Sequence, residues 1–155
     1  DIRGPKEMPD ATSPCSPLPD SVQWFHIPLS AYAGVFTPEQ QDKCASIFRL
    51  LLDPKNHPCY IHCQGGADRT GTIILLLGGV LGMTKENLLV DYELTSIFSA
   101  YRGIRYRARK AFLALLEKLA ETTGEETIQK QCEKYFLDSG ITPEEIARFR
   151  ALFLQ

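Results

Sequence analysis

The stretch His62-Cys63-Gln64-Gly65-Gly66-Ala67-Asp68-Arg69-Thr70-Gly71 decides the fold, because it joins a predicted strand to a predicted helix. The preceding run, residues 59–63, follows two prolines and is typical of a short strand. The apolar stretch from Thr70 onward predicts a buried helix. Five residues separate Cys63 from Arg69. A loop of that length can curl so that several backbone N–H groups point at one place.

Such a loop is suited to binding a tetrahedral dianion such as phosphate. The N-terminus of the following helix adds partial positive charge. The two glycines allow positive φ values and a close approach of the backbone to a ligand. The planar guanidinium of an arginine can hold two phosphate oxygens. The predicted phosphate cradle therefore consists of Gln64, Gly65, Gly66, Ala67, Asp68 and Arg69.

The same positive charge acts on the thiol of Cys63. A thiol at a helix N-terminus beside a guanidinium has its pKa lowered from about 8.5 to roughly 3.5–7.5. Cys63 would then be a thiolate at neutral pH and an in-line nucleophile towards phosphorus. Thr70 can donate its hydroxyl to the sulfur and later help the sulfur leave. A cysteine at the end of a buried strand is usually a small core residue, but the surrounding pattern favours the catalytic role.

The competing interpretation is a zinc site, for which the available ligands would be His57, Cys59, His62 and Cys63. Strand alternation places Cys59 and Cys63 on one face and His62 on the other. No second cluster supplies closing ligands. We therefore expect neither a metal nor a cofactor.

Composition indicates one compact domain covering residues 1–155, since the chain is 44% hydrophobic and 23% charged. The 17 Lys and Arg against 19 Asp and Glu give a net charge of -2, which excludes a strongly basic nucleic-acid-binding protein. The longest apolar run, residues 73–83, is too short for a transmembrane segment. Five cysteines argue against a complete disulfide framework. The oligomeric state stays open.

The rest of the chain predicts another strand, at residues 22–27, and several helices. A capping box at residues 37–40 begins the first of these helices, and Thr84 and Thr142 cap later ones. Apolar residues at helical spacing mark two more helices: Phe112, Leu115, Leu116 and Leu119 in one, and Ile128, Cys132, Tyr135 and Phe136 in the other. The expected fold class is α/β, with a small central sheet flanked by helices and a helix-rich C-terminal half.

The first residues, Asp1-Ile-Arg3, are typical of the end of a strand, and no initiator methionine precedes them. We therefore expect a domain truncated at its N-terminus, with strands of the sheet missing. Without that segment the localisation stays open between cytoplasmic and secreted.

The loop resembles the active-site loop of the cysteine-dependent protein tyrosine phosphatase superfamily, His-Cys-x5-Arg-Ser/Thr. More narrowly, it is similar to bacterial tyrosine phosphatases with Asp-Arg-Thr-Gly in the loop, which include atypical dual-specificity and lipid-active secreted enzymes. Three further segments resemble this group: residues 1–3 with Glu7, residues 91–96 and residues 140–146. The resemblance covers nearly the whole chain and implies a protein tyrosine phosphatase-like fold.

The resemblance implies a phosphomonoester hydrolase with a phosphocysteine intermediate at Cys63, acting on a phosphorylated protein or a small phosphomonoester. A protein tyrosine phosphatase is the first interpretation. Many members carry lysine where this chain has Ala67, and that lysine is associated with phosphoinositide or polyphosphate substrates. An inositol phosphate or phosphoinositide phosphatase is the alternative. A catalytically silent phosphate-binding module is a second alternative, although such relatives typically lack the cysteine or the arginine.

The superfamily usually places a general-acid aspartate on a loop before the nucleophile, but residues 23–36 contain neither Asp nor Glu. Asp68 is therefore the predicted general acid, as proposed for relatives whose loops carry aspartate before arginine. The alternatives are that Asp68 only caps the following helix, or that Asp53 or Asp1 is the acid.

A basic run follows the loop at residues 102–110. Such a run is usually a solvated helix face. Arg105 and Arg109, however, lie seven residues before Phe112 and Leu116, so that in a continuous helix they share the side of the core residues. We therefore name these two arginines as a possible rim for an anionic substrate.

Overall fold

The computed structural model describes residues 1–8, 16, 18–98 and 109–154. In these residues the chain forms six α-helices: α1 Pro38–Leu52, α2 Asp68–Val80, α3 Lys85–Phe98, α4 Arg109–Thr123, α5 Ile128–Asp138 and α6 Pro143–Phe153. Three short 3-10 turns occupy Pro5–Glu7, Tyr32–Phe36 and Pro54–Asn56. The helices predicted for the second half of the chain are present in this part of the structure.

The expected α/β fold with a central sheet is wrong, because the described residues contain helices but no strand. Residues 22–27 and 59–63, the two predicted strands, form irregular segments. Isolated backbone hydrogen bonds connect them to the first residues of the chain, including Ile2 N–H to His62 O and Ile27 N–H to Asp1 O, each 2.9 Å. A sheet requires a repeated ladder of such bonds, and Pro28 has no N–H to extend one.

Short-range signals predicted helix ends with mixed success. The capping box of α6 is confirmed, because Glu145 Oε2 accepts from Thr142 N–H at 2.8 Å and Thr142 Oγ1 accepts from Glu145 N–H at 3.2 Å. Gly140, with φ of +83°, follows the end of α5. The capping box predicted at residues 37–40 is wrong. The Gln40 side chain instead accepts a hydrogen bond from the backbone N–H of Ser30 at 2.7 Å.

The apolar helix α2 occupies the centre of the core and packs against α3 and α5. Its most buried apolar side chains are those of Ile73, Leu75, Leu76 and Val80. Gly79 permits the close contact with α5, because a Cβ there would lie 2.3 Å from Cys132 Sγ. Although α2 is strongly apolar, no helix among the described residues has the length and hydropathy needed to cross a membrane. The N-terminus of this packed helix adjoins the predicted cradle.

We expect Gly79→Ala to lower the free energy of unfolding, because the added methyl group would collide with the Cys132 sulfur. Overpacking of this kind costs about 1–3 kcal/mol. Alanine favours a helix over glycine by roughly 1 kcal/mol, so the collision should outweigh this gain. Gly78→Ala is the matched control, since its Cβ would lie 2.8 Å from Met83 Sδ, in a flexible side chain, and 3.0 Å from Leu88 Cδ2, further than the 2.3 Å at Gly79. Chemical denaturation measures both variants. A Gly79→Ala protein as stable as Gly78→Ala would contradict the packing argument.

Candidate active site

The predicted phosphate cradle lies between the irregular segment that ends at Cys63 and the first turn of α2. The helix begins at Asp68, two residues earlier than the apolar pattern indicated. Gly66 adopts a φ of +66°, where glycine is favoured, whereas Gly65 does not have a positive φ. A Cβ at either glycine would meet no atom within 4 Å. The loop therefore presents an open face to a ligand.

The side chain of Cys63 is buried, and burial by itself raises the pKa of its thiol. Stabilisation of the thiolate outweighs this effect. The Thr70 side chain and the backbone N–H groups of Thr70, Ala67 and Gly65 together hold the pKa of Cys63 below its ordinary value. Donors from both the loop and the helix N-terminus thus surround the sulfur.

The hydroxyl of Thr70 is buried and has no hydrogen-bond partner among the described residues. It is nevertheless close enough to Cys63 to stabilise the negative sulfur. A hydroxyl group can donate its hydrogen bond to a thiolate.

Glu7 holds Arg69 in place, a role that the sequence did not assign. The Nη1 and Nη2 groups of Arg69 both donate to the Glu7 carboxylate, with Nη2 at 2.6 Å from Oε1. The backbone N–H of Gly4 donates to the same carboxylate at 2.7 Å. The hydrogen bonds from Arg69 are the main cause that lowers the pKa of Glu7 to about 2. These contacts use two of the five N–H donors of Arg69.

Asp68, the predicted general acid, has an exposed side chain in the first turn of α2. Its Oδ1 accepts a hydrogen bond from the hydroxyl of Tyr32, and Tyr92 Oη lies 2.7 Å from Tyr32 Oη. Ala67, not Asp68, is the N-cap residue of α2. Sequence reasoning missed both tyrosines, because 36 and 60 positions separate the bonded residues along the chain.

The two reserve candidates for the general acid bind other groups. The carboxylate of Asp1 is fully buried and lies 2.6 Å from the Arg3 guanidinium. Asp53 accepts a hydrogen bond from the backbone N–H of Lys55 and caps the turn that follows α1. Neither carboxylate is free to move a proton at the cradle without losing these contacts.

The predicted substrate rim is described only in part. Arg109 is the first residue of α4, and its guanidinium binds the Glu93 carboxylate of α3, with Nη2 at 2.9 Å from Oε2. Arg105 lies outside the described residues. A joint role of these arginines as a substrate rim stays a prediction.

No group of three or more His, Cys, Asp or Glu side chains in the described part of the chain is placed to hold a metal ion. His57, one of the ligands considered for zinc, has its Nε2 2.8 Å from Leu51 O. A groove of about 650 Å³ lies beside α1 and is lined by neither Cys63 nor Arg69. This groove is therefore separate from the loop that contains the two residues.

A cysteine surrounded by N–H donors and followed by an oriented arginine is the arrangement used by the cysteine-based protein tyrosine phosphatase superfamily. The model of the tyrosine phosphatase family matches residues 1–155. The chain belongs to this family.

The chain is similar to several curated proteins over part of its length. It is 28% identical over 90 residues to an inositol diphosphatase of Arabidopsis thaliana (DSP5), covering 58% of this chain and 41% of that protein. It is 28% identical over 81 residues to a probable tyrosine-protein phosphatase of Dictyostelium discoideum (DG1060), covering 52% and 43%. A second Arabidopsis inositol diphosphatase (DSP2) is 30% identical over 112 residues, covering 64% and 39%.

The chain therefore spans about two fifths of the length of these relatives. The relatives come from a plant and from Dictyostelium, so these matches do not support the narrower expectation of a bacterial tyrosine phosphatase. They support a phosphatase with a phosphoester substrate.

We expect Cys63 to be alkylated by iodoacetamide at a lower pH than the other described cysteines, because its thiolate is stabilised. Burial raises the pKa of Cys44 to about 11 and also raises that of Cys132, so both should stay unmodified in the folded protein. Exposed Cys59 is the reference for an accessible thiol. Peptide-resolved mass spectrometry follows each site, and vanadate should protect Cys63 alone. Faster labelling of Cys59 at pH 6, without protection by vanadate at Cys63, would contradict this interpretation.

Proposed function

We propose that this chain hydrolyses phosphomonoesters through a phosphocysteine intermediate on Cys63, with phosphotyrosine in a protein as the substrate. The observation that carries the proposal is that the N–H groups of Gly65, Ala67 and Thr70 lower the pKa of the buried Cys63 thiol, on the loop that also holds Arg69. The same groups that stabilise a thiolate can stabilise the equatorial oxygens of a phosphoryl group in transfer. Arg69, oriented by Glu7, adds charged donors on the same loop.

In the first step the Cys63 thiolate attacks phosphorus, so that an S–P bond forms as the P–O bond to the leaving group breaks. Asp68 in its protonated form donates that proton to the departing oxygen. Arg69 and the backbone N–H groups of the cradle bind the three remaining phosphoryl oxygens throughout. The products of this step are a phenol and phosphocysteine.

In the second step water attacks the phosphorus of the intermediate. The ionised Asp68 accepts a proton from that water, the new P–O bond forms, and the S–P bond breaks. The Thr70 hydroxyl beside the sulfur stabilises the thiolate that leaves. Inorganic phosphate departs and Asp68 is again protonated for the next cycle.

Inositol diphosphates are the second candidate substrates, because two of the relatives described above are inositol diphosphatases. The open face of the loop at Gly65 and Gly66 is compatible with a bulkier polyanion. Ala67 supplies no additional cation for one. We therefore rank the phosphotyrosine substrate first.

We expect the chain to release phosphate from a phosphotyrosine peptide and Cys63→Ser to abolish the reaction, since a serine hydroxyl is not ionised in the cradle. Acid quenching during turnover, followed by mass spectrometry, should find a phosphoryl group on the peptide that contains Cys63. The matched control is Cys59→Ser, which changes an exposed thiol outside the cradle and should retain full activity.

Three results would separate the candidates. Phosphocysteine together with faster turnover of the peptide than of inositol diphosphates supports the proposal. Phosphocysteine with a preference for inositol diphosphates supports the second candidate. Phosphate binding without phosphocysteine and without turnover would overturn both and leave a silent binding module.

We expect Asp68→Asn to lower kcat/KM for phenyl phosphate by about 10²–10⁴-fold, the usual contribution of general acid catalysis. The loss for dinitrophenyl phosphate should be much smaller, because that leaving group departs without a proton. Asp53→Asn is the control, since Asp53 binds a backbone N–H at the end of α1 and should not alter the dependence on leaving group. Equal losses for both esters in Asp68→Asn would disprove the assignment.

A further inference from the structure

We propose that Lys6 binds an acidic side chain of the substrate, a glutamate or aspartate close to the phosphotyrosine. The inference rests on the proposed function and names the class of phosphopeptide that the site would select. Lys6 is the middle residue of the 3-10 turn Pro5–Glu7. The last residue of this turn binds Arg69 of the predicted cradle. Lys6 is therefore one residue away from a direct contact with the cradle.

Contacts on both sides of Lys6 fix the turn in place. The backbone N–H of Gly4 donates to the Glu7 carboxylate at 2.7 Å, and the backbone N–H of Glu7 donates to Gly4 O at 3.0 Å. The same carboxylate binds Arg69, with Oε1 2.6 Å from Nη2. Met8, which follows the turn, is buried. The backbone of Lys6 is therefore held close to Arg69, while its side chain is exposed.

The ammonium group of Lys6 forms no ion pair with any carboxylate in the described part of the chain, whereas the neighbouring arginines are paired. Arg3 binds Asp1 at 2.6 Å, and Arg69 binds Glu7. Glu7 follows Lys6 directly, but consecutive side chains of a 3-10 turn point about 120° apart. The Glu7 carboxylate is moreover occupied by Arg69. The charge of Lys6 is therefore available to an anion from outside the chain.

The cradle itself supplies little positive charge beyond that needed for one phosphoryl group. Glu7 offsets part of the charge of Arg69, and position 67 of the loop is an alanine. An exposed charge acts over a Debye length of about 10 Å at 0.1 M salt. Lys6 therefore adds an uncompensated positive charge within range of groups that flank a bound phosphotyrosine.

The place of Lys6 outside the loop favours an acidic side chain over the second phosphate of an inositol. Adjacent phosphoryl groups on one small molecule enter the cradle together, so the cation for the second would have to lie in the loop, where Ala67 has no charge. In an extended peptide each residue advances the chain by about 3.3 Å. A carboxylate one or two residues from the phosphotyrosine then lies beside the loop, where the flexible four-carbon side chain of a lysine can meet it.

The test compares phosphotyrosine peptides that differ by a single charge. One glutamate is placed in turn at each position from two residues before to two residues after the phosphotyrosine, and each peptide has a partner with glutamine instead. We expect kcat/KM to be about two- to fivefold higher for the glutamate peptide at one of these positions, as for a single exposed ion pair. The preference should fall as ionic strength rises, because salt screens exposed charges.

Lys6→Gln should bring the ratio of the two kcat/KM values to about one, and Lys6→Glu should reverse the preference, because like charges repel. The matched control is Lys55→Gln. Lys55 is also exposed and is the middle residue of a second 3-10 turn that starts with proline, Pro54–Asn56. No residue of that turn binds Arg69 among the described contacts, so Lys55→Gln should keep the preference for glutamate.

The outcomes distinguish this inference from the proposed function. Turnover without any preference for glutamate, or a preference that survives in Lys6→Gln, would overturn the role of Lys6 and leave the phosphotyrosine substrate in place. An equal fall of the ratio in Lys55→Gln would indicate a general charge effect and would also overturn it. Slower turnover of inositol diphosphates in Lys6→Gln, with no change in the peptide ratio, would contradict the inference and assign Lys6 to the second candidate substrate. If no peptide of any pair is hydrolysed, the proposed substrate and the inference both fail.

Discussion

A negative charge on a buried sulfur is the constraint on which the rest of the site depends. Burial raises the pKa of Cys44 and Cys132, and those thiols remain core groups. Cys63 is also buried, yet its pKa is lowered. The difference is the start of α2, because the first N–H groups of a helix have no partner within it and can bind an anion instead. The position of the sulfur relative to one helix end therefore decides whether the thiol is inert or ionised.

The same helix connects the site to the core. At one end of α2, Gly79 allows α5 to approach closely, and at the other end Gly71 leaves room for the ring of Tyr92, which a Cβ would meet at 3.0 Å. The two glycines therefore allow α2 to be held by packing along its length. Rigid packing matters here, because N–H donors stabilise a transferring phosphoryl group only if they are already oriented.

Short-range patterns in the sequence predicted the later helices correctly, since spacing within one element carries that information. The capping box at Thr142 and the apolar run of α2 are examples. Contacts between residues far apart in the sequence could not be predicted from such patterns. The β-favouring residues at 59–63 predicted a strand, but a strand exists only where a partner supplies a ladder. The contacts of Glu7 with Arg69 and of Tyr32 with Asp68 could not be predicted for the same reason, because 62 and 36 positions separate the partners.

The pairing of Glu7 with Arg69 raises a question about affinity, since it places a carboxylate beside a site for a dianion. Binding phosphate tightly in the ground state would slow product release without lowering the barrier, because catalysis depends on stronger binding of the transition state. Glu7 offsets part of the charge of Arg69 while fixing the plane of its guanidinium. Hydrogen bonds from the guanidinium of Arg69 and from the uncharged N–H groups of the loop are strong only at short distance and in the right direction. In the proposed reaction they would therefore favour the geometry of a transferring phosphoryl group over that of an anion that merely enters the predicted cradle.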